Sequence, residues 1–396
     1  MPSLLSPETE ALAGGGLLAC DRYSRLRETA TFRGDALERW QGSRLLLVGA
    51  GALGSRLAPE LVLSGAATFV CDPDQGGLEN LGTQRIGAGT EKVVSVVQTC
   101  DAIARGRAEG LACDVRHLGV GVIRQFDAII DCSDDPNLAV VLTEISNGCA
   151  IPLLRSAVDG TGRAEWGRVL TSHGGAEHSC QLCSYSVRDL QAHFARMPCP
   201  HLPGHARAPT LAGGALATTV AGLGLLQAQR LLGGNDRGLV LDREVILDLD
   251  NFETHCFELT RSSRCLSGHV RWDLTELGRN ATETTVADCF AVAREELGDS
   301  NIIFEPYLHP ICVGAICSCS ATSDVAGTAW AARRECPRCG ESMTWRQDLK
   351  WPRLRVEHCR ELGICDVSLA ELGLPERGAM VHLRTATGGS MRLVLE

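Results

Sequence analysis

The chain of 396 residues lacks the features that define several large protein classes. No apolar run comes near the ~18 residues that a membrane-spanning helix needs. The 38 Lys and Arg are outnumbered by 48 Asp and Glu, and the net charge of −10 argues against nucleic acid as the main partner. The first twenty residues have no basic stretch ahead of a compact apolar segment, so we expect no secretory signal.

Cysteine, in contrast, is abundant. The chain has 19 cysteines, an odd number, and no export signal is recognisable. Disulfide frameworks are typical of exported proteins, whereas intracellular cysteines more often serve as metal ligands or nucleophiles. With 44% hydrophobic and 22% charged residues, the composition is that of an ordinary globular protein. We therefore expect a cytoplasmic protein with two domains whose cysteines are reduced.

A glycine-rich turn is the most informative motif. The apolar residues 45–48 run into Gly49, Gly51 and Gly54, which have the Gly-x-Gly-x-x-Gly spacing. Such glycines allow backbone N–H groups and the positive end of the following helix to approach a phosphate. Asp72 follows the next strand, where a carboxylate can bind ribose hydroxyls. Strands and helices alternate from about residue 43 to residue 150, with strands near 44–48, 67–71, 111–115 and 126–132. Strands near 238–241, 244–249 and 255–259 close the domain. This pattern predicts a doubly wound α/β sheet that binds NAD or ATP.

Several further segments occur in an order that resembles the ThiF/MoeB/HesA family of adenylating enzymes, which are related to ubiquitin-activating enzymes. The matching residues are Arg22-Tyr23-Ser24-Arg25, Asp72-Pro73-Asp74, Asn80-Leu81-Gly82-Thr83-Gln84, Lys92, Asp131-Cys132-Ser133-Asp134-Asp135 and Pro209-Thr210. The resemblance covers residues 20–270 and implies a Rossmann-like adenylation domain over residues 21–270, after a disordered segment 1–20. It also favours ATP over NAD, because a dehydrogenase has no role for the Asn80-Leu81 loop or for Lys92.

The resemblance implies a set of ATP-binding and catalytic residues. Asp72 would bind the ribose, and Asp134 would hold Mg²⁺ or orient the attacking carboxylate. Lys92 and Arg25 would neutralise phosphate charge, with Arg25 supplied by the partner subunit of a homodimer. Asp131 would cap the next helix. The full ATP-binding set is Gly49, Gly51, Gly54, Asp72, Asp74, Asn80, Gln84, Arg85, Lys92 and Asp134.

One position departs from the family pattern. Relatives often have Arg directly before the Gln of the Asn-Leu segment, and this chain has Thr83. Arg85 lies two residues further on and could replace that arginine from a shifted backbone. The departure leaves the nucleotide site in place and puts full catalytic strength in question.

Cys199 is the candidate nucleophile. It lies in a polar segment, residues 184–210, that precedes a predicted helix at 211–232, and related activating enzymes carry a reactive cysteine on such a crossing loop. The nearby basic residues Arg196, His201, His205 and Arg207 could lower its pKa. The alternative is an ordinary loop cysteine.

Cysteine pairs predict zinc sites. Cys180-Gln181-Leu182-Cys183 has the spacing of two thiolates on one tetrahedral zinc. We expect two sites. The resemblance implies the first, made of Cys180, Cys183, Cys265 and His269, because family relatives complete this pair with a second one just after the last strand of the domain. The second is a ribbon of Cys317, Cys319, Cys336 and Cys339. A rival arrangement joins Cys180 and Cys183 to Cys336 and Cys339 in a single site, and Cys312 could replace Cys317 or Cys319. Four protein ligands leave no open position, so either arrangement is structural.

The sequence changes character from residue 271 onwards. A helix near residues 285–297, the cysteine-rich span 312–339 and a final helix, turn and strands predict a smaller zinc-containing domain over residues 271–396, which could end in a ubiquitin-like fold. With the loop thiol, this extension points to activation of a ubiquitin-like protein with a C-terminal glycine, and to docking of that protein or of a conjugating enzyme. The alternatives are a sulfur-carrier adenylyltransferase and an inactive scaffold.

Overall fold

A computed structural model describes residues 22–159, 163–186, 188, 212–346 and 348–396. Contacts divide them into two compact units. The N-terminal unit comprises the described residues up to Asp114 together with Phe126–Arg271, and the C-terminal unit comprises Val115–Gln125 and Trp272–Glu396. Among the described residues, no helix combines the length and apolar character required to cross a bilayer. The predicted disordered segment 1–20 lies outside the described residues.

The first half of the chain alternates strands and helices, as predicted. In chain order the elements are α1 (Ser24–Arg27), α2 (Ala36–Gly42), β1 (Arg44–Val48), α3 (Gly54–Leu63), β2 (Ala67–Cys71), α4 (Lys92–Ile103), β3 (Ala108–Leu111), α5 (Val120–Ile123), β4 (Ala128–Asp131), α6 (Pro136–Cys149), β5 (Leu153–Val158), β6 (Trp166–Ser172), α7 (Gly214–Gly233), β7 (Arg243–Asp248) and β8 (Glu253–Glu258).

The N-terminal unit is built on one eight-stranded sheet with the order β3-β2-β1-β4-β5-β6-β7-β8. The first five strands are parallel and the last three are antiparallel to their neighbours. Central strands such as β1 are continuous apolar runs because helices cover both faces of a parallel sheet. The predicted doubly wound Rossmann-like fold is therefore confirmed.

Two predicted strands are wrong in detail. The strand expected at 111–115 lies earlier, at Ala108–Leu111 (β3). It ends at Leu111 because the chain then leaves the sheet at a turn in which the Cys113 N–H donates to the Leu111 carbonyl. The segment 238–241 is not a strand, and its Leu241 makes an isolated bridge with Thr171. The residues before Leu241 form a turn in which the Leu239 N–H donates to the Asp236 carbonyl.

Helix α7 lies against the sheet and ends where the sequence predicts a stop. Its C-cap Gly234 has φ +69°, a left-handed conformation that favours glycine. Gly224 allows the helix to approach β5 closely, since a Cβ there would lie 2.7 Å from the Ser156 hydroxyl. The buried residues Leu216, Val220 and their neighbours join Leu154 in the core of this unit.

The C-terminal unit contains two sheets. Its further elements are β9 (Leu274–Glu276), α8 (Val286–Leu297), β10 (Ile302–Pro306), β11 (Ile311–Ile316), β12 (Thr322–Thr328), β13 (Thr344–Trp345), β14 (Lys350–Trp351), β15 (Leu354–Arg355), α9 (Val356–Glu361), β16 (Met380–Thr385) and β17 (Ser390–Val394). One sheet has the order β15-β10-β16-β17-β9, and the other joins β12, β13 and β14 to β11. Phe290 of α8 and Phe304 of β10 pack together in the core of this unit.

The helix expected near 285–297 begins one residue later than predicted, because Thr285 is its N-cap. The Thr285 hydroxyl accepts from the Asp288 N–H, and the Asp288 carboxylate accepts from the Thr285 N–H. This reciprocal capping box satisfies donors that the first turn leaves without partners.

Candidate active site

The turn between β1 and α3 is tightly packed and requires glycine at two of its three positions. Gly49 has φ +93°, and a Cβ there would lie 3.0 Å from the main chain of Cys132. A Cβ on Gly54 would lie 1.8 Å from the carbonyl oxygen of Gly49. Gly51 is different, because the nearest atom to a Cβ there is Gln84 Nε2 at 4.0 Å. The turn therefore presents open backbone at Gly51.

Asp72 is held against this turn by its backbone hydrogen bonds. One carboxylate oxygen accepts the Ala50 N–H at 2.6 Å, and the other accepts the Asp74 N–H at 2.8 Å. The residue is only 6% exposed, and burial raises its pKa even though these N–H groups and Lys92 oppose the shift. The structure thus brings Asp72 and the glycine turn together at the carboxyl ends of β1 and β2.

Lys92, at the start of α4, joins the same edge of the sheet. Its Nζ lies 2.8 Å from an Asp74 carboxylate oxygen, and its side chain is 11% exposed. Asn80 Oδ1 accepts the Gly77 N–H at 2.9 Å and so fixes the loop that follows β2. Gln84 Nε2 is the nearest atom to a Cβ at Gly51, and the buried Gln84 Oε1 has no hydrogen-bond partner among the described residues. An open glycine turn with a nearby cation can contact phosphate, and an unpaired acceptor can receive a hydroxyl or amino group.

Thr83 stands where relatives often have arginine, and a different arginine contacts its backbone. The Arg56 guanidinium, from α3, donates to the Thr83 carbonyl at 2.6 Å and to the Ala52 carbonyl at 2.7 Å. Burial and the charge of Arg85 lower the pKa of Arg56. Both arginines therefore lie near the glycine turn, whereas sequence reasoning considered Arg85 alone.

The segment after β4 has a different capping pattern from the one expected. Asp135, and not Asp131, is the N-cap of α6, because its carboxylate accepts the Asn137 N–H at 2.9 Å. Asp131 is fully buried and accepts from the Ser133 N–H and hydroxyl. Asp134 is exposed between them, beside the stretch whose Cys132 main chain contacts Gly49.

Arg25 is exposed on α1, which packs at the opposite edge of the sheet. Neighbouring Arg22 donates to the carbonyl of Ile103, at the end of α4, and Tyr23 lies beside Gly65, just before β2. Within one chain the structure does not bring Arg25 to the glycine turn. Cys199 lies outside the described residues.

Comparison with known proteins identifies the family. The profile of the ThiF family matches residues 23–265, which is more than half of the chain. The chain belongs to the ThiF family. This confirms the resemblance that the sequence motifs carry. A search of curated proteins finds no match.

The solved structures most similar to this member of the ThiF family include complexes of MccB. "Crystal structure of E. coli MccB + ATP" matches with 15% identity and TM-score 0.52, over 64% of this chain and 75% of the other. The Microcin C7 biosynthetic enzyme MccB in complex with N-formylated MccA matches with 15% identity and TM-score 0.51, over 63% of this chain and 75% of the other. At this identity the likeness shows the fold alone.

A small polar cavity of about 20 Å³ lies on the α6 side of the sheet, and sequence reasoning missed it. Arg155 and Arg168 line it together with Gln181, Tyr185 and Glu244. The available signal was Arg155, the one charged residue of strand β5. That strand is buried, and the side chain of Arg155 is 9% exposed.

The first predicted metal cluster is assembled in the N-terminal unit. The ligand atoms of Cys180, Cys183, Cys265 and His269 all lie within 4.8 Å of one another. Cys180 Sγ is 3.9 Å from Cys183 Sγ, 3.6 Å from Cys265 Sγ and 3.7 Å from His269 Nε2. A tetrahedron of ligands about 2.3 Å from a zinc ion has edges of about 3.8 Å. The donor set and spacing fit zinc.

The second predicted cluster is assembled in the C-terminal unit. The thiols of Cys317, Cys319, Cys336 and Cys339 also lie within 4.8 Å of one another. The Sγ–Sγ distances are 3.4 Å for Cys317 and Cys339 and 3.6 Å for Cys319 and Cys336. The Arg338 N–H donates to Cys336 Sγ, which stabilises a thiolate at the knuckle. Cys312 is not part of this set.

Proposed function

We propose that the chain uses ATP to adenylate the C-terminal carboxylate of a ubiquitin-like protein that ends in glycine. The observation that carries the proposal is the convergence of the glycine turn, Asp72, Lys92 and the unpaired Gln84 Oε1 at one edge of a ThiF-family sheet. The MccB complexes with ATP and with N-formylated MccA support a nucleotide together with a second substrate.

In this reaction a carboxylate oxygen attacks the α-phosphorus, and the bond from that phosphorus to the bridging oxygen of the β-phosphate breaks. Pyrophosphate leaves with that electron pair, and the product is an acyl-adenylate. The protein contributes position and charge, not a covalent bond. Backbone N–H groups at Gly51 would contact phosphate, Asp72 would accept from the ribose and Lys92 would stabilise the leaving charge. Mg²⁺ supplies further charge neutralisation, and Asp134 would hold it.

The proposal continues with transfer of the acyl group to Cys199. The thiolate attacks the acyl carbon, AMP leaves and a thioester forms. The support for this step is the sequence motif, with its neighbouring cations. Arg25 would act in the site of a second copy of the chain, because α1 packs at the sheet edge opposite the glycine turn.

Zinc is proposed for both cysteine clusters. Each provides four ligands, so a bound ion would have no open position and would hold chain segments together instead of activating a substrate. In the N-terminal unit the ion would join the residues after β6 to those after β8, across more than eighty residues of sequence.

ATP–pyrophosphate exchange tests the first step. We expect labelled ATP to form when the protein, Mg²⁺ and its cognate ubiquitin-like partner are mixed, and no labelled ATP without the partner. The Cys199→Ala variant should retain exchange and lose a reductant-sensitive adduct on a denaturing gel. A thiocarboxylate product without any adduct would instead indicate a sulfur-carrier adenylyltransferase.

The scaffold alternative is favoured by Thr83 alone and makes a different prediction. A scaffold would bind the partner protein and consume no ATP. Melting curves separate the nucleotide classes cheaply, since ATP with Mg²⁺ should stabilise the protein and NAD should not.

A further inference from the structure

The cavity beside Arg155 lies in line with the nucleotide turn. Val48, Asp131 and Arg155 are directly paired across β1, β4 and β5, and the row continues through Leu170 to Glu244. Directly paired residues of neighbouring strands project to the same face. Neighbouring strands are ~4.8 Å apart, so Arg155 stands about 10 Å from the end of β1, where the turn begins.

Arg155 has donor capacity that its surroundings do not use. Its Nη1 donates to Gln181 Oε1 at 3.2 Å and lies 3.5 Å from Asp131 Oδ2. The Gln181 amide is fixed because its Nε2 donates to the Ala139 carbonyl and the Thr143 hydroxyl. The buried Nε of Arg155 has no hydrogen-bond partner among the described residues. Leaving such a buried donor unpaired costs free energy, so the site favours a ligand with acceptor oxygens.

A second arginine faces the same space. Arg168 donates from Nη1 to Glu244 Oε1 at 3.1 Å, which holds its guanidinium at the cavity wall. Planar guanidinium groups match a carboxylate better than any other side chain, because two parallel N–H groups meet two oxygens. The cavity has a volume of about 20 Å³, which is enough for a water-sized group, so it suits the carboxylate of one side chain and not a second cofactor.

We propose that this cavity binds an acidic side chain near the C-terminus of the substrate. The inference rests on the proposed function, because it assumes that the terminal carboxylate reaches the nucleotide turn. An extended chain advances ~3.3 Å per residue, so about 10 Å corresponds to roughly three residues. The recognised Asp or Glu therefore lies two to four residues before the terminal residue, and Arg155 and Arg168 determine this specificity.

The test is affinity selection from a library of random heptapeptides with free C-termini. The full chain is immobilised with Mg²⁺ and a non-hydrolysable ATP analogue, and the bound peptides are sequenced. We expect Asp and Glu to be enriched at one of the positions two to four residues from the end. Selected peptides should lose affinity by about tenfold when that residue is changed to Gln.

Variants identify the residues responsible. Arg155→Gln and Arg168→Gln should each abolish the enrichment, whereas Glu244→Gln should increase it, because it removes a competing carboxylate and keeps an acceptor for Arg168. This gain cannot arise from misfolding. The matched control is Arg243→Gln, an exposed arginine on the same strand as Glu244 that pairs with Glu258 and should leave the selection unchanged.

The outcomes separate this inference from the proposed function. Selection without an acidic preference, or a preference that survives Arg155→Gln and Arg168→Gln, overturns the cavity assignment. Pyrophosphate exchange with a selected peptide is measured in parallel. Binding that requires the acidic residue, without pyrophosphate exchange, would refute adenylation and support the cavity assignment. Exchange at the same rate with and without the acidic residue would support adenylation and refute the cavity assignment.

Discussion

Substituting the glycines of the turn separately distinguishes a phosphate cradle from a packing turn. Gly54→Ala would place a Cβ 1.8 Å from a main-chain oxygen that no side-chain movement can relieve. We expect a loss of about 3 kcal/mol, the upper end of the range for overpacking. For a domain of this size the Tm should fall by about 6–12 °C.

Gly51→Ala should behave differently. The nearest atom to its Cβ lies 4.0 Å away, so the protein without nucleotide should melt as the wild type does. ATP at 100 times its Kd adds about 2.7 kcal/mol to a binding-competent protein. That corresponds to a Tm rise of about 5–10 °C, which Gly51→Ala should lose because the methyl group occupies the place of a phosphate oxygen.

Differential scanning fluorimetry with and without ATP and Mg²⁺ measures both effects. Gly222→Ala is the control, since it lies in α7 with open space around it and should stabilise by about 0.5–1 kcal/mol without altering the ATP response. If Gly51→Ala retains the full ATP-induced rise in Tm, the turn does not bind the phosphates and the reasoning fails.

Further outcomes are expected at other places in the chain. Lys92→Met should reduce pyrophosphate exchange by about 10²–10³-fold and Lys92→Arg by less, because the change removes charge beside the leaving phosphates. Elemental analysis should find two zinc ions per chain, and one in Cys317→Ser, while Cys312→Ser keeps two. Burial, together with Arg392, Arg384 and Arg353, lowers the pKa of His382 to about 3. Its neutral form therefore contributes stability that is present above pH ~6.5 and is lost as the pH falls towards 3. In denaturant titrations the free energy of unfolding should fall less between these pH values for His382→Gln than for the wild type.

Local motifs predicted the candidate nucleotide site because its residues follow consecutive strands. Gly49, Asp72 and Lys92 come directly after β1, after β2 and at the start of α4, and parallel strands bring their carboxyl ends to one edge. The polar cavity could not be predicted this way. Arg155 and Glu244 share it only through the register of antiparallel strands, which local sequence does not specify.

Local sequence was also insufficient for the cysteine clusters, whose ligands lie far apart in the chain. The Cys-x-x-Cys pairs were visible as half-sites, but spacing cannot tell which distant pair completes each one. The family resemblance favoured Cys265 and His269 for the first cluster, and the structure assembles that set. For Asp131 the expected role was wrong. Its carboxylate was expected to cap the helix that follows, whereas in the structure it pairs with buried Arg155.

Two cations of the candidate site are paired with carboxylates, which constrains how the site can be tested. The chain has a net charge of −10, and the proposed function requires it to bind an anionic nucleotide. The two pairs are Lys92 with Asp74 and Arg155 with buried Asp131. Removing only the arginine would leave a buried carboxylate without its partner, which destabilises a protein independently of function. A loss of selection for the acidic residue in Arg155→Gln is therefore interpreted together with the Glu244→Gln variant. That variant removes a negative charge from the same cavity and should bind an acidic side chain more strongly.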